Sequence, residues 1–245
     1  MSPVLTVMTY NVHSCIGTDG KVSAVRIAHV IAGRKADIIG LQELDSGLER
    51  SGLLDQAKII AGHLNMHYHF HPSIRVEEGH FGNAILSRFP MRTIKAAELP
   101  TLPGRRNIER RGAIWSEISV EDTKVQLIST HLGLNRQERL AQAETLCSSE
   151  WLQHNLCRPP VIICGDLNTI SLSRVYRWLT RTMKDSRGEK FRMRGSTYPG
   201  RLPLLRLDYI LVSPDIRVKE SVVCRDKLAK EASDHLPLMA TLELM

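Results

Sequence analysis

The sequence predicts an α/β protein, and three observations lead there. Short apolar or β-branched runs alternate with segments of helical periodicity along the whole chain. No linker rich in Gly, Ser or Pro, no internal repeat and no low-complexity tract breaks that alternation, so 1–245 reads as one domain. Hydrophobic residues make up 42% of the 245, enough to bury a sizeable core, which excludes a disordered chain.

The strand-like runs are Val4–Tyr10, Ile38–Leu41, Ala84–Leu86, Ala113–Ser119, Val125–Thr130, Val161–Cys164, Tyr209–Val212, Ile216–Val223 and Pro237–Leu244. Helices show as apolar stripes. Ala24, Ile27, Ala28 and Ile31 fall at i, i+3, i+4, i+7 behind a cap residue, Ser23. Ala57, Ile60, Ala61 and Leu64 repeat that spacing after Asp55. Leu140, Ala143, Cys147 and Trp151 predict one long helix over Arg136–Gln153. Val175, Trp178 and Leu179 predict another after Ser171–Ser173.

Charge and cysteine usage narrow the setting. The 33 Lys+Arg against 26 Asp+Glu give +7, which favours polyanionic partners: nucleic acid, anionic lipid or phosphorylated metabolites. The five cysteines are scattered and form no CxxC pair, so they read as reduced thiols and not as a disulfide frame or zinc site. The opening MSPVLTVMTYNVH has no basic leader, and no apolar run reaches the ~18–20 residues of a membrane span. The expectation is a cytoplasmic protein without stable membrane association.

Chemistry gathers at strand ends. The first strand runs into Asn11, IIGLQ into Glu43, VQLIST into His131, and VIICG into Asp166 with Asn168 two residues on. In open α/β sheets that edge forms ligand crevices. Asp208 precedes YILV, and Asp234 and His235 precede LPLMATLEL. If those two strands run antiparallel to the others, their beginnings meet the same edge. Carboxylates and amides without a thiolate are hard ligands suited to Mg²⁺ or Mn²⁺. The absence of GxxxxGK[ST], GxSxG and GxGxxG argues against a P-loop, an α/β-hydrolase elbow and a dinucleotide site. Metal-assisted attack of water on a phosphoester is the best match.

At these residues the chain resembles a known family. TYNVH, LQELD, GNAILSR, STHLG, GDLN, LDYILVS and SDHLPL occur in the order expected of the endonuclease/exonuclease/phosphatase family, which includes exonuclease III-like and DNase I-like nucleases and sphingomyelinases. The stretches EGHFGNAILSR, ERRGA and TYPGRLPLLRLDYI are similar to a bacterial subgroup with undefined substrate. The resemblance implies a four-layer α/β sandwich: two mixed sheets face to face, with helices outside. It implies that Glu43 is the main metal carboxylate, with Asn11 and Asp234 beside the metal. Asp166 would orient or deprotonate water, Asn168 would bind a phosphate oxygen, and His235 would contact the scissile phosphate in a tautomer fixed by Asp208. His131 stands where DNase I-type nucleases and sphingomyelinases carry His and exonuclease III-like enzymes carry Tyr. Asn83, Arg111 and Tyr198 are expected to bind substrate.

Two basic runs are expected to flank the crevice or form a solvated face: Arg105, Arg106, Arg110 and Arg111, then Arg174, Arg177, Arg181, Lys184, Arg187, Lys190, Arg192 and Arg194. Arg174, Arg177 and Arg181 have the spacing of a helical stripe. His67, His69 and His71 alternate on one strand face, and His13 is close enough to Asn11 to approach the site. The expected function is a Mg²⁺- or Mn²⁺-dependent nuclease cleaving DNA. The alternative is a phosphodiesterase or phosphatase acting on a lipid headgroup or small phosphoester.

Overall fold

The computed structural model describes residues 2–76, 79–102, 109–188 and 195–245. Arg105, Arg106, Lys190, Arg192 and Arg194 lie outside them. The first sheet holds β1 (Val4–Asn11), β2 (Ile38–Ser46), β3 (His67–Val76), β4 (Gly79–Ser87), β11 (Ile216–Val223) and β12 (Leu238–Leu244). Its order is β11-β12-β1-β2-β4-β3, with β1 and β2 parallel and the other pairs antiparallel. The second sheet holds β5 (Met91–Glu98), β6 (Gly112–Val120), β7 (Thr123–His131), β8 (Val161–Asp166), β9 (Lys184–Asp185) and β10 (Asp208–Val212). Its order is β5-β6-β7-β8-β10-β9, again with one parallel pair, β7 and β8. The sheets are therefore built alike: a central parallel pair, flanked by antiparallel strands.

Period-two alternation divides the second sheet between two cores. Ile114, Leu127, Ile162, Cys164 and Ile210 face the first sheet and join its apolar core. Their neighbours Trp115, Ile128, Ile163, Tyr209 and Leu211 point the other way, into a second core. A strand buried on both faces reads as a continuous apolar run, as VIIC does. Gly40 lets the sheets approach closely: a Cβ there would lie 2.6 Å from Cys164 Sγ and 2.8 Å from Ser129 Oγ.

Helices cover the two outer faces. α1 (Ala24–Ala32), α2 (Gln56–Leu64) and α5 (Lys227–Ala232) cover the first sheet, burying Ile27, Ile31, Ile60 and Ala229. α3 (Arg136–Leu146) and α4 (Arg174–Leu179) cover the second, burying Ala143, Leu146, Val175 and Leu179. Each buried Ile, Leu or Val side chain contributes about 1.5–3 kcal/mol. Ser23, Asp55, Asn135, Ser173 and Asp226 cap these helices by accepting from backbone N–H groups of the first turn. The result is the four-layer α/β sandwich.

The long helix over Arg136–Gln153 is corrected to α3 ending at Leu146. Ser148 Oγ donates to Thr145 O (2.8 Å) and accepts from Glu150 N (3.1 Å), which replaces helical bonding by turns. Trp151 still reaches the second core, from a turn. The helix of Arg174 and Arg177 ends at Leu179, so Arg181 follows it, its guanidinium 4.0 Å above the Trp178 ring. All five cysteines are free. Among the described residues no helix is long and apolar enough to cross a membrane.

Candidate active site

The two parallel pairs end at one edge. β1 and β2 deliver Asn11 and Glu43; β7 and β8 deliver His131 and Asp166. β10 runs antiparallel to β8 with Asp208 opposite Asp166, and β12 runs antiparallel to β1 with Asp234 and His235 just ahead of it. Asn11 joins the sheets: its Nδ2 donates to Glu43 Oε1 (2.8 Å) and Asp166 Oδ2 (3.1 Å). Its Oδ1 accepts from the His13 N–H at 3.1 Å.

Glu43 sits on a β-bulge. The pairing of β2 with β4 slips between Leu41 and Leu44, and Glu43 adopts φ 59°. The extra residue re-aims a side chain that plain alternation would send elsewhere. Burial opposes the Glu43 charge, but His13, His131 and Asn11 outweigh it and hold the carboxyl well below the usual carboxylate range. Asn83, on β4 across from the bulge, is buried and donates to Gly112 O at 3.2 Å, so its amide ties the sheets together.

Asp166 is buried. Its Oδ1 accepts from Asn168 N (2.8 Å), and its Oδ2 lies 3.6 Å from both His131 Nε2 and His235 Nε2. Burial, then the neighbouring Asp208, raise its proton affinity above that of an ordinary aspartate, against the pull of His235. The preceding Gly165 has φ 151°, and a Cβ there would fall 1.8 Å from Thr130 O. Only glycine allows this approach between β7 and β8.

His235 is fixed by three contacts. Nδ1 lies 2.9 Å from Asp208 Oδ2, the backbone N–H donates to Ser233 Oγ (3.2 Å), and the Tyr198 ring centroid lies 4.9 Å away. Burial alone would lower its pKa, but Asp208, helped by Asp166 and Asp234, raises it to about 10. Asp208 Oδ1 is buried without a hydrogen-bond partner among the described residues.

His131 is held at both ring nitrogens: Nδ1 accepts from Arg111 Nη1 at 3.0 Å, and the Asn168 amide lies 2.9 Å from Nε2. Burial and then the Arg111 charge push its pKa well below the usual histidine value, so the ring is neutral. Arg111 is itself buried, its guanidinium shared with Glu109 at 3.0 Å. Among the described residues, its contact with the crevice is the one with His131 Nδ1. Asn168 reaches its position at φ 48°, with Nδ2 also donating to Leu132 O (2.9 Å).

The sequence placed His13 near Asn11 without its turn. His13, Ser14 and Cys15 all have left-handed backbones, φ 47°, 51° and 56°. Each such residue costs about 1–2 kcal/mol. The turn is held by Gln56 Nε2 donating to Ser14 O (2.6 Å), Ser14 Oγ donating to Asp45 Oδ1 (3.0 Å) and Arg50 pairing with Asp45 (2.7 Å). His13 Nδ1 lands 3.5 Å from Glu43 Oε2 and 3.8 Å from Asp234 Oδ1. No glycine marks this turn in the sequence, so only its supporting polar residues could have signalled it.

The donor set fits a hard divalent cation. Asp166, Asp208 and His235 offer ligand atoms within 4.8 Å of one another, and the orphaned Asp208 Oδ1 is a buried oxygen without a proton donor among the described residues. Glu43 and Asp234 add more accessible carboxylates. The histidines of β3 bring no comparable donor set together among the described residues. Beside Asn168 opens a groove of about 740 Å³, lined by Arg136, Arg139, Arg174 and Arg177 with Ile170 and Leu172.

Known proteins resemble this chain in sequence or in fold. The Escherichia coli K12 protein YbhP, uncharacterized, is 30% identical over 174 residues, covering 68% of this chain. The chain matches 64% of the length of YbhP. An endonuclease/exonuclease/phosphatase family protein of Bacteroides thetaiotaomicron superimposes with TM-score 0.77 at 22% identity, covering 100% of this chain and 99% of that one. The mannosyl-6-phosphatase of the same organism gives 0.75 at 21%, covering 97% and 99%. The human Nocturnin catalytic domain gives 0.73 at 19%, covering 99% and 94%. The family model itself matches residues 8–235, and the chain belongs to the Endonuclease/Exonuclease/phosphatase family.

Proposed function

We propose that this protein is a divalent-metal-dependent phosphodiester hydrolase, and that its substrate is DNA. The observation carrying the reading is the convergence of Asn11, Glu43, His131, Asp166, Asp208 and His235 at one edge of both sheets. Glu43, its carboxylate positioned by the Asn11 amide and with Asp234 beside it, would hold Mg²⁺ or Mn²⁺, which when bound supplies charge neutralisation on the phosphate. Asp166 Oδ2 orients the attacking water and takes its proton; raised proton affinity suits a base working near neutral pH. His235, kept protonated by Asp208, donates to a phosphate oxygen from Nε2. Asn168, its amide fixed by His131 and by Leu132 O, would give up one of these contacts to bind another phosphate oxygen.

Net charge +7 and the arginine-lined groove support a polyanionic strand. The free thiols fit a reducing, cytoplasmic setting. A second reading, hydrolysis of a lipid headgroup, has its own support: Leu134, Leu172, Leu202 and Leu204 are largely exposed, and Leu172 lines the groove beside Asn168.

The test is a panel of duplex DNA, single-stranded DNA, RNA, sphingomyelin vesicles and inositol phosphates, each with Mg²⁺, Mn²⁺ or EDTA. Metal-dependent DNA cleavage that Asp166→Ala reduces about a hundredfold or more is expected. Cleavage of vesicles alone would select the second reading. Full activity of Asp166→Ala would refute both.

A further inference from the structure

We propose that His13 supplies a nitrogen donor to the divalent cation held by Glu43, biasing the site toward Mn²⁺ over Mg²⁺. The inference rests on the reading that Glu43 is a metal carboxylate and goes beyond it in assigning a ligand.

Four observations converge. His13 Nδ1 stands 3.5 Å from Glu43 Oε2 and 3.8 Å from Asp234 Oδ1. Donors sharing one cation at bonds of about 2.1 Å lie about 3 Å apart when adjacent and about 4.2 Å when opposite, and the 3.5 Å from His13 Nδ1 to Glu43 Oε2 falls between the two, so a small side-chain shift brings this pair onto one ion. The amide of Asn11 leaves a gap in the oxygen set: its NH₂ faces Glu43 and Asp166, and its oxygen is already taken by the His13 N–H. The other imidazole near Glu43, His131, has Nδ1 at 3.9 Å from Oε1 but meets the Arg111 guanidinium at 3.0 Å, a cation that repels a second one. The His13 ring is half-exposed, so an ion can reach it from solvent.

The backbone argues the same way. Three consecutive left-handed residues without a glycine are strained, and such strain persists where the surroundings over-determine it. Here Gln56, Asp45 and Arg50 satisfy the turn, and its outcome is the position of one imidazole. A nitrogen donor beside carboxylates favours transition-series ions, which accept imidazole, over Mg²⁺, which prefers oxygen.

The experiment uses the full chain loaded with Mn²⁺ alone. Pulsed electron paramagnetic resonance of the bound ion should carry a ¹⁴N modulation from a ligating imidazole. His13→Asn, which tolerates the left-handed backbone, should abolish that modulation. It should also weaken Mn²⁺ binding about tenfold or more, while Mg²⁺ affinity, read by competition, falls less than about threefold. His13→Gly, suited to the same backbone, is the second variant, and thermal unfolding verifies that each is folded. Absence of the modulation in the unmodified protein, or its survival in both variants, overturns the proposal. Glu43→Gln separates the two layers: unchanged Mn²⁺ affinity in that variant refutes the Glu43 metal site itself, whereas lost affinity with no ¹⁴N signal refutes His13 alone.

Discussion

Asp208, the first residue of β10, lies directly across from Asp166, the last residue of β8, in the antiparallel register of the second sheet. Two buried carboxylates so close cannot both remain ionised without a compensating cation or proton. His235 answers one of them, with Nδ1 2.9 Å from Asp208 and Nε2 3.6 Å from Asp166. The chemistry of the crevice is thus a consequence of strand register.

Asp208→Asn keeps the volume and removes the charge. The His235 pKa should fall from about 10 toward the ordinary value near 6.5, followed by NMR titration of its ring protons. Hydrolysis should drop about a hundredfold, because the imidazole loses both its charge and its orientation. An unchanged His235 titration would refute the pairing.

Stability should depend on pH in a defined direction. The folded-state pKa of His235 is raised above its unfolded value, so its contribution is fully present below about pH 6.5. That contribution is lost as pH rises through about 10. Asp166, also raised, acts in the same sense at lower pH. Urea unfolding of EDTA-treated protein should therefore show stability declining from pH 6.5 to 10.5, and Asp208→Asn should flatten the decline.

Gly165→Ala should be among the most damaging single-methyl changes. The backbone at φ 151° and the approach of Thr130 O leave no room for a Cβ. A loss of about 4 kcal/mol or more is expected, lowering the thermal midpoint by about 10 °C. A midpoint within two degrees of the original, on the order of the shift from 1 kcal/mol or less, would contradict the register at the end of β8.

If the arginine groove tracks a DNA strand, the Arg174→Ala/Arg177→Ala double variant should bind duplex DNA with a log K against log [salt] slope reduced by about 1.8. Cleavage of a short dinucleotide phosphodiester should be unaffected. An unaltered salt slope would remove this groove from the DNA path.

Much of the fold and most of the residues gathered at the candidate site are legible in the sequence. Apolar runs ending in Asn11, Glu43, His131 and Asp166 mark strand ends directly, because period-two burial on both faces leaves a continuous apolar signature. The amphipathic stripes and caps of α1 and α2 were equally plain. What escaped were weak or polar elements: β5, whose MRTIKAAE is only partly buried, and the short α5. The stripe through Trp151 suggested too long a helix, since burial periodicity cannot distinguish a helix from a turn that returns a tryptophan to the same core.

By itself the sequence determined which donors exist and that each sits at the end or the start of a strand, because alternation and polarity are local properties. Tertiary structure decided what those donors became. The bulge at Glu43, the left-handed turn at His13, the Arg111 guanidinium beneath His131 and the pairing of Asp208 with Asp166 all arise between segments distant in the chain. Aim, charge state and spacing depend on which backbone lies opposite, and no local pattern carries that information.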